Sequence, residues 1–312
     1  MHHRSQKITY GAMMMAIFTT MLVGAFYIPL IGIMIMLFIP LPIILYRFRY
    51  DRSSTVFVIF AGTLLTLLIG GYPVVPFAIM FGLLGFLIAE SLQLGKSKVY
   101  TFMASALFFI IIGMIFYVVA ALLLDYNAVN ELYRMLGEAR EDLTAFFEAS
   151  GMSQKLYEDV IETAFVFYRS AVPAMFIIGV FVFTYMMVIP NFEILKRLGH
   201  PVPRFAPFRT MKLPVILIFI YGLTIILPYI TDMKPDSSLY LMYINATVIL
   251  RVLLLLQGLS LLFYIMHRVK AHWVLTFFIT LLVIPFSPIF TLLGILDIGM
   301  NVRSFIEKDN RK

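Results

Sequence analysis

The chain has 312 residues, of which 62% are hydrophobic and 13% charged, and its mean hydropathy is +0.96. A soluble domain carries about 25% charged residues, so this composition excludes a single water-soluble core, and the excess apolar surface must face lipid. The net charge of +7 does not indicate nucleic acid, because the cations lie in short loops between apolar runs, where they set orientation and meet anionic headgroups.

Continuous apolar runs indicate membrane-spanning helices, whereas a β-barrel would show short alternating segments. The reading is all-α: a polytopic helical membrane protein with eight or nine transmembrane helices and an extracellular amphipathic helical segment. A polar start with Arg4 and Lys7 leads into span 1, residues 8–26. No cleavable signal peptide is expected, because this run is longer than an h-region and no small-residue cleavage site follows it. Ala12, Ala16, Thr20 and Gly24 recur in it at every fourth position and share one helix face. In lipid, helices associate by close packing, and small residues let a second backbone approach. That backbone belongs either to this chain or to a separate protein docked on Ala12, Ala16 and Thr20.

Span 2, residues 30–45, contains Pro40 and Pro42, which break the helix and free carbonyls from intrahelical bonds. A basic loop with Arg47, Arg49 and Arg52 precedes span 3, residues 55–69, which stops at Gly70-Gly71-Tyr72-Pro73. Span 4, residues 74–92, carries Gly82, Gly85 and Glu90; a loop with Lys96 and Lys98 leads to span 5, residues 100–124. Residues 125–170 change character, with nine acidic and four basic residues and apolar residues at helical spacing. Two amphipathic helices are expected there, broken near Ser150-Gly151, as a lid over an outer cavity or a packed extracellular loop. Span 6 is 171–189, and a basic, proline-punctuated loop at 191–212 rests on headgroups or docks a cytoplasmic partner. Span 7 is 213–230 and span 8 is 240–266. The last run, 273–296, is interrupted by Pro285 and Pro288. It is read as a ninth span, with a proline-broken hairpin as the alternative. The expected regions are therefore 1–124, 125–170, 171–297 and a polar tail, 298–312. With the N-terminus in the cytoplasm, the inner loops through span 8 carry 14 Lys and Arg and the outer loops five, as the positive-inside rule requires.

The search for catalytic chemistry is negative. Cysteine is absent, which removes thiolate catalysis and Cys metal sites. Gly95-Lys96-Ser97 resembles the end of a Walker A loop, but Glu90 stands where its first glycine belongs. Neither H-E-x-x-H nor G-x-S-x-G occurs, and the five histidines form no helical ligand pair with an acidic partner. No enzyme, cofactor or metal is expected. Arg251 is the strongest single signal: it lies roughly 16 Å into span 8 at 1.5 Å per residue. A guanidinium at a helix centre costs at least ~2.5 kcal/mol and needs a partner or a wet cavity. Thr247 and Tyr243 share its face at spacings of four. The group is either structural, bonded to freed carbonyls or snorkelling, or a cationic contact for an anionic ligand.

Several pieces in order resemble the YybS-like family of bacterial multi-pass membrane proteins. They are Gly11-Ala12 with Ala16, Pro29 and Gly32, Leu41-Pro42, Gly82 with Gly85, and the stretch from Leu198-Gly199 to Lys212-Leu213-Pro214. Gln257-Gly258 comes next, then Gly294-Ile295-Leu296-Asp297 with Arg303. That family is similar in turn to the substrate-binding S components of energy-coupling-factor vitamin transporters, in which an Ala-x-x-x-Ala motif in helix 1 docks a transmembrane coupling subunit. Ala12 and Ala16 match that motif; the long outer segment and the final spans are additions. The resemblance implies a bacterial plasma-membrane protein that binds a small molecule and takes as partners membrane lipids, a coupling subunit and an ATPase module. The competing expectations are a membrane scaffold or regulator recruiting proteins through residues 191–212, and, behind it, a lipid-modifying enzyme.

Overall fold

The computed structural model describes residues 2–151, 154–203, 206–235 and 237–309. Among them the chain forms α1 (His2–Tyr27), α2 (Ile31–Met36), α3 (Leu41–Arg49), α4 (Arg52–Gly70), α5 (Val75–Gln93), α6 (Lys98–Leu123), α7 (Ala128–Ala149) and α8 (Gln154–Arg197). They continue as α9 (Ile216–Ile230), α10 (Ser238–Arg268), α11 (Trp273–Leu281), α12 (Ser287–Met300) and α13 (Val302–Asp309). Seven segments are long and apolar enough to cross a membrane, α2 and α3 together making one of them, and α9 and α12 are shorter apolar helices. The protein is therefore an all-α, multi-pass membrane protein. It divides into two compact units, residues 1–128 with 179–205, and residues 129–178 with 206–312.

In the first unit, α1 turns Gly11, Met14, Phe18, Thr19 and Leu22 inward. Phe18 lies against Gly62 of α4, where an added Cβ would stand 3.3 Å from its ring. A hydroxyl also ties the two helices: Thr19 Oγ1 donates to the Gly62 carbonyl at 3.3 Å, an acceptor shared with Thr66 of α4 itself at 2.8 Å. The Pro40 break between α2 and α3 packs onto α5, where Gly85 is required: a Cβ there would come within 2.8 Å of the Pro40 carbonyl. Pro42 sits in the first turn of α3, where its missing N–H costs nothing. Freed carbonyls are expected at such a break, and Asn191 of α8 closes one, its Nδ2 donating to Leu37 O at 2.7 Å. At the next turn Glu90 accepts from Arg47 and Arg52, and Asp51 caps α4 by accepting the Ser54 N–H at 3.1 Å.

In the second unit, Gly151, with φ of 72°, ends the turn after α7, at the expected break. Beyond that break, the second amphipathic stretch and span 6 are not the two separate elements expected. They run as one helix, α8, through Pro173. Within this unit the N-terminal part of α8 pairs with α7 through Arg140–Glu162 at 2.7 Å and through Arg169 stacked 5.1 Å over Tyr133. The last run also differs from one span. Its prolines divide it into α11 and α12, of nine and 14 residues. At 1.5 Å per residue neither reaches the ~30 Å thickness of a hydrocarbon core. Helices α10 and α12 meet backbone to backbone: a Cβ on Gly258 would lie 1.9 Å from Phe290 O, and one on Gly294 2.0 Å from Leu254 O.

Candidate functional site

The glycine contact between α10 and α12 brings Gln257, next to Gly258, against Asp297, one turn beyond Gly294. Gln257 Nε2 donates to Asp297 Oδ2 at 2.6 Å. The same carboxylate accepts from Arg303, Nε at 2.9 Å and Nη2 at 2.8 Å. Asn301, in the left-handed conformation with φ of 50°, turns the chain between α12 and α13 and so folds Arg303 back onto Asp297. The pair is buried, with side-chain exposures of 1% for Asp297 and 4% for Arg303. Arg303 also lies 5.5 Å from the centre of the Tyr264 ring.

This pair fixes the segment entering α9. Gln257 Oε1 accepts the Leu213 N–H at 3.0 Å, Arg303 Nη1 donates to Arg209 O at 2.6 Å, and Arg303 Nη2 donates to Ser260 Oγ at 3.1 Å. Ser260 Oγ in turn donates to Phe208 O at 2.8 Å. Leu213 and Pro214 thereby stay outside the helix, and α9 starts at Ile216 rather than at the expected residue 213. Every polar group in the cluster is engaged by another, so it has no idle nucleophile or base; it is a clamp on residues 206–214. Arg204, another basic residue of the 191–212 loop, lies outside the described residues.

The expected ligand trio is present on one face of α10 but makes no comparable network. Arg251 is exposed rather than turned into a bundle interior, and among the described residues its guanidinium has no hydrogen-bond or ion-pair partner. Thr247, one turn away, has a buried Oγ1 with no partner among the described residues. Tyr243 is half-buried beside Tyr240, ring centres 6.3 Å apart. Asp297, in the same unit as Arg251, is committed to Arg303. Two turns toward the N-terminus, Asn245 does what sequence reasoning did not foresee. Pro173 opens α8, and the Asn245 amide fills the gap, Nδ2 donating to Ser170 O at 2.9 Å and Oδ1 accepting from Ala174 N at 2.7 Å. A lone Asn in an apolar run was the available signal.

On α1, Ala12, Ala16 and Thr20 are all exposed. Internal packing uses another face, through Gly11, Phe18 and Thr19, which leaves Ala12 and Ala16 exposed, while the far end of the stripe meets α2, where a Cβ on Gly24 would lie 3.5 Å from Ile35. Thr20 and Gly24 border an apolar cleft of about 390 Å³. Among the described residues no three His, Asp or Glu side chains gather as a metal site requires.

The chain matches the family described as "Predicted membrane protein (DUF2232)" over residues 16–298. It is 22% identical over 313 residues to "Uncharacterized protein YybS" of Bacillus subtilis (strain 168), covering 97% of this chain and 99% of that protein. No solved structure matches it. The Gln257-Gly258 and Gly294–Asp297 pairing, closed by Arg303, thus stands in a chain that belongs to the DUF2232 family of predicted membrane proteins.

Proposed function

We propose that this membrane protein is a non-enzymatic subunit that binds an anionic small molecule for transport, similar in role to S components of energy-coupling-factor transporters. The observation that carries the reading is Arg251. It lies near the middle of the 31-residue α10 with no partner among the described residues. An unpaired guanidinium at that depth costs at least ~2.5 kcal/mol in lipid, so it fits a wet cavity or a bound anion. The buried, unpartnered Thr247 hydroxyl one turn away adds a donor to the same face. The test is mass spectrometry of small molecules that copurify with the wild type and with Arg251→Gln. An anion carried by the wild type and lost from an equally stable Arg251→Gln supports the reading. Identical ligand content in both proteins removes it.

Energy would come from a separate coupling subunit and ATPase module, with the coupling subunit seated on the Ala12, Ala16 and Thr20 face of α1. The exposure of that stripe supports this placement, as does the match of Ala12-x-x-x-Ala16 to the S-component motif. Ala12→Trp with Ala16→Trp should release a membrane partner without lowering thermal stability in detergent; a loss of stability instead assigns the stripe to internal packing. We place the protein in a bacterial plasma membrane with its N-terminus inside. Impermeant thiol reagents should then label Glu138→Cys, and not His200→Cys, on intact cells. A second reading, a scaffold recruiting cytoplasmic proteins through residues 191–212, is favoured by the clamp that holds 206–214 in a fixed shape. It predicts partner loss from substitutions in this loop and indifference to Arg251→Gln.

A further inference from the structure

A cleft of about 560 Å³ opens in the second unit between the Phe208–Thr210 turn, the last turns of α10 and the start of α11. Its size is that of a small-molecule site. Its walls are aromatic and apolar, with Phe263, Trp273 and Phe277 among them. Two basic side chains, Arg209 and His267, line the same cleft. Among the described residues neither makes a side-chain hydrogen bond or ion pair, and the carboxylate joined to this region, Asp297, is already engaged by Arg303. The Arg209 backbone is held there because its carbonyl accepts from Arg303, and Phe208 packs edge-on against Phe263, ring centres 5.8 Å apart. The position of Arg209 is therefore built by the buried clamp rather than left to a loose loop. Trp273 is 73% exposed at the mouth of the cleft, a residue type favoured where a membrane meets water.

An apolar trough with a guanidinium and an imidazole at one side matches an amphiphile with an anionic head and hydrocarbon tails. We propose that this cleft binds one anionic glycerophospholipid, its phosphate on Arg209 and His267 and an acyl chain against Phe263 and Phe277. The site is separate from Arg251 and does not depend on the transport reading.

The full chain, purified in mild detergent, is titrated with phosphatidylglycerol and with phosphatidylcholine of the same acyl chains, and bound lipid is counted by native mass spectrometry. The Arg209 guanidinium should favour the net negative head of phosphatidylglycerol over the zwitterionic head of phosphatidylcholine by about fivefold. Arg209→Gln with His267→Gln should abolish that advantage and leave phosphatidylcholine binding as it was. The clamp uses only the main chain of Arg209, so the fold is expected to survive. Thr276→Trp, which fills the cleft without touching a charge, should weaken both lipids. If the double variant does not fold, the wild-type lipid comparison and Thr276→Trp decide. Soluble glycerol phosphate should protect far less than the lipid; equal protection would overturn the lipid assignment in favour of a free phosphate ester. Equal binding of the two lipids by the wild type, an advantage that survives the double variant, or unchanged binding by Thr276→Trp would each overturn the proposal.

Discussion

Asp297→Asn removes one charge from the buried clamp and almost nothing from its volume. The carboxylate accepts from two guanidinium nitrogens and one amide, and both charged side chains are at most 4% exposed. Removing one member of a buried ion pair costs about 3–5 kcal/mol, because the remaining charge stays buried without compensation. Arg303 retains the Arg209 carbonyl and Ser260 Oγ, so the lower end, about 3 kcal/mol, is the expected loss, roughly a hundredfold in the unfolding equilibrium. Thermal unfolding in detergent measures the stability change, and hydrogen exchange at Leu213 measures release of the segment, since Gln257 holds that N–H only while Asp297 orients it. Arg303→Met should cost a similar amount. The two changes together should cost less than their sum by more than about 1 kcal/mol, because the double variant leaves no orphaned charge. Additive losses, or an Asp297→Asn protein with wild-type stability and unchanged exchange at Leu213, would refute the clamp.

Gly294→Ala places a methyl group 2.0 Å from Leu254 O; forcing α10 and α12 apart should cost about 1–3 kcal/mol, read as a lower unfolding temperature. Asn245→Ala should cost about 1–2 kcal/mol by orphaning Ser170 O and Ala174 N. Adding Pro173→Ala should recover most of that loss, since α8 can then close its own ladder; no recovery would mean that Asn245 acts elsewhere. Lys7 and the Ser54 N–H hold the Asp51 carboxyl well below the usual carboxylate range. A depressed folded-state value makes its contribution complete above about pH 4 and lost as pH falls further. Asp51→Asn should therefore lower stability at neutral pH and flatten the acid limb of the stability profile.

The number of apolar runs, the amphipathic 125–170 segment and its break at Gly151 were legible because each is a local pattern. Span 1, spans 3 to 6 and span 8 fall on helices long enough to cross a membrane. The divided last run was harder. Pro285 and Pro288 announced an interruption, but whether a chain bends or breaks depends on what receives its freed backbone groups. The clamp was half legible. Gln257-Gly258, Gly294 to Asp297, and Arg303 stood out as separate pieces, yet their meeting needs the close α10–α12 approach and the left-handed Asn301, neither of which has a periodic signature. Arg251 was found by its cost in lipid, but composition could not say which way it points. The same holds for Ala12 and Ala16: periodicity defined the face, and only packing showed that Gly11, Phe18 and Thr19 take the inward side.

Polar side chains in the spans are mostly consumed by defects in the backbone. Asn191 serves the carbonyl freed before Pro40, Asn245 bridges the opening at Pro173, and Gln257, Ser260 and Arg303 bind the unwound approach to α9. Each of these groups would be costly in hydrocarbon, and each is matched to a backbone group that would otherwise be costly too. Among the described residues, two buried side-chain atoms have no partner, Asn191 Oδ1 and Thr247 Oγ1. The first comes with an amide whose nitrogen already makes two bonds at 2.7 Å, so structure accounts for that residue's presence. Thr247 repairs no break of this kind, and neither does Arg251 one turn along the same face. Polar groups that no backbone defect requires are the ones whose cost a ligand or water must offset, and this accounting, more than any motif, is the reason to look for function on that face of α10.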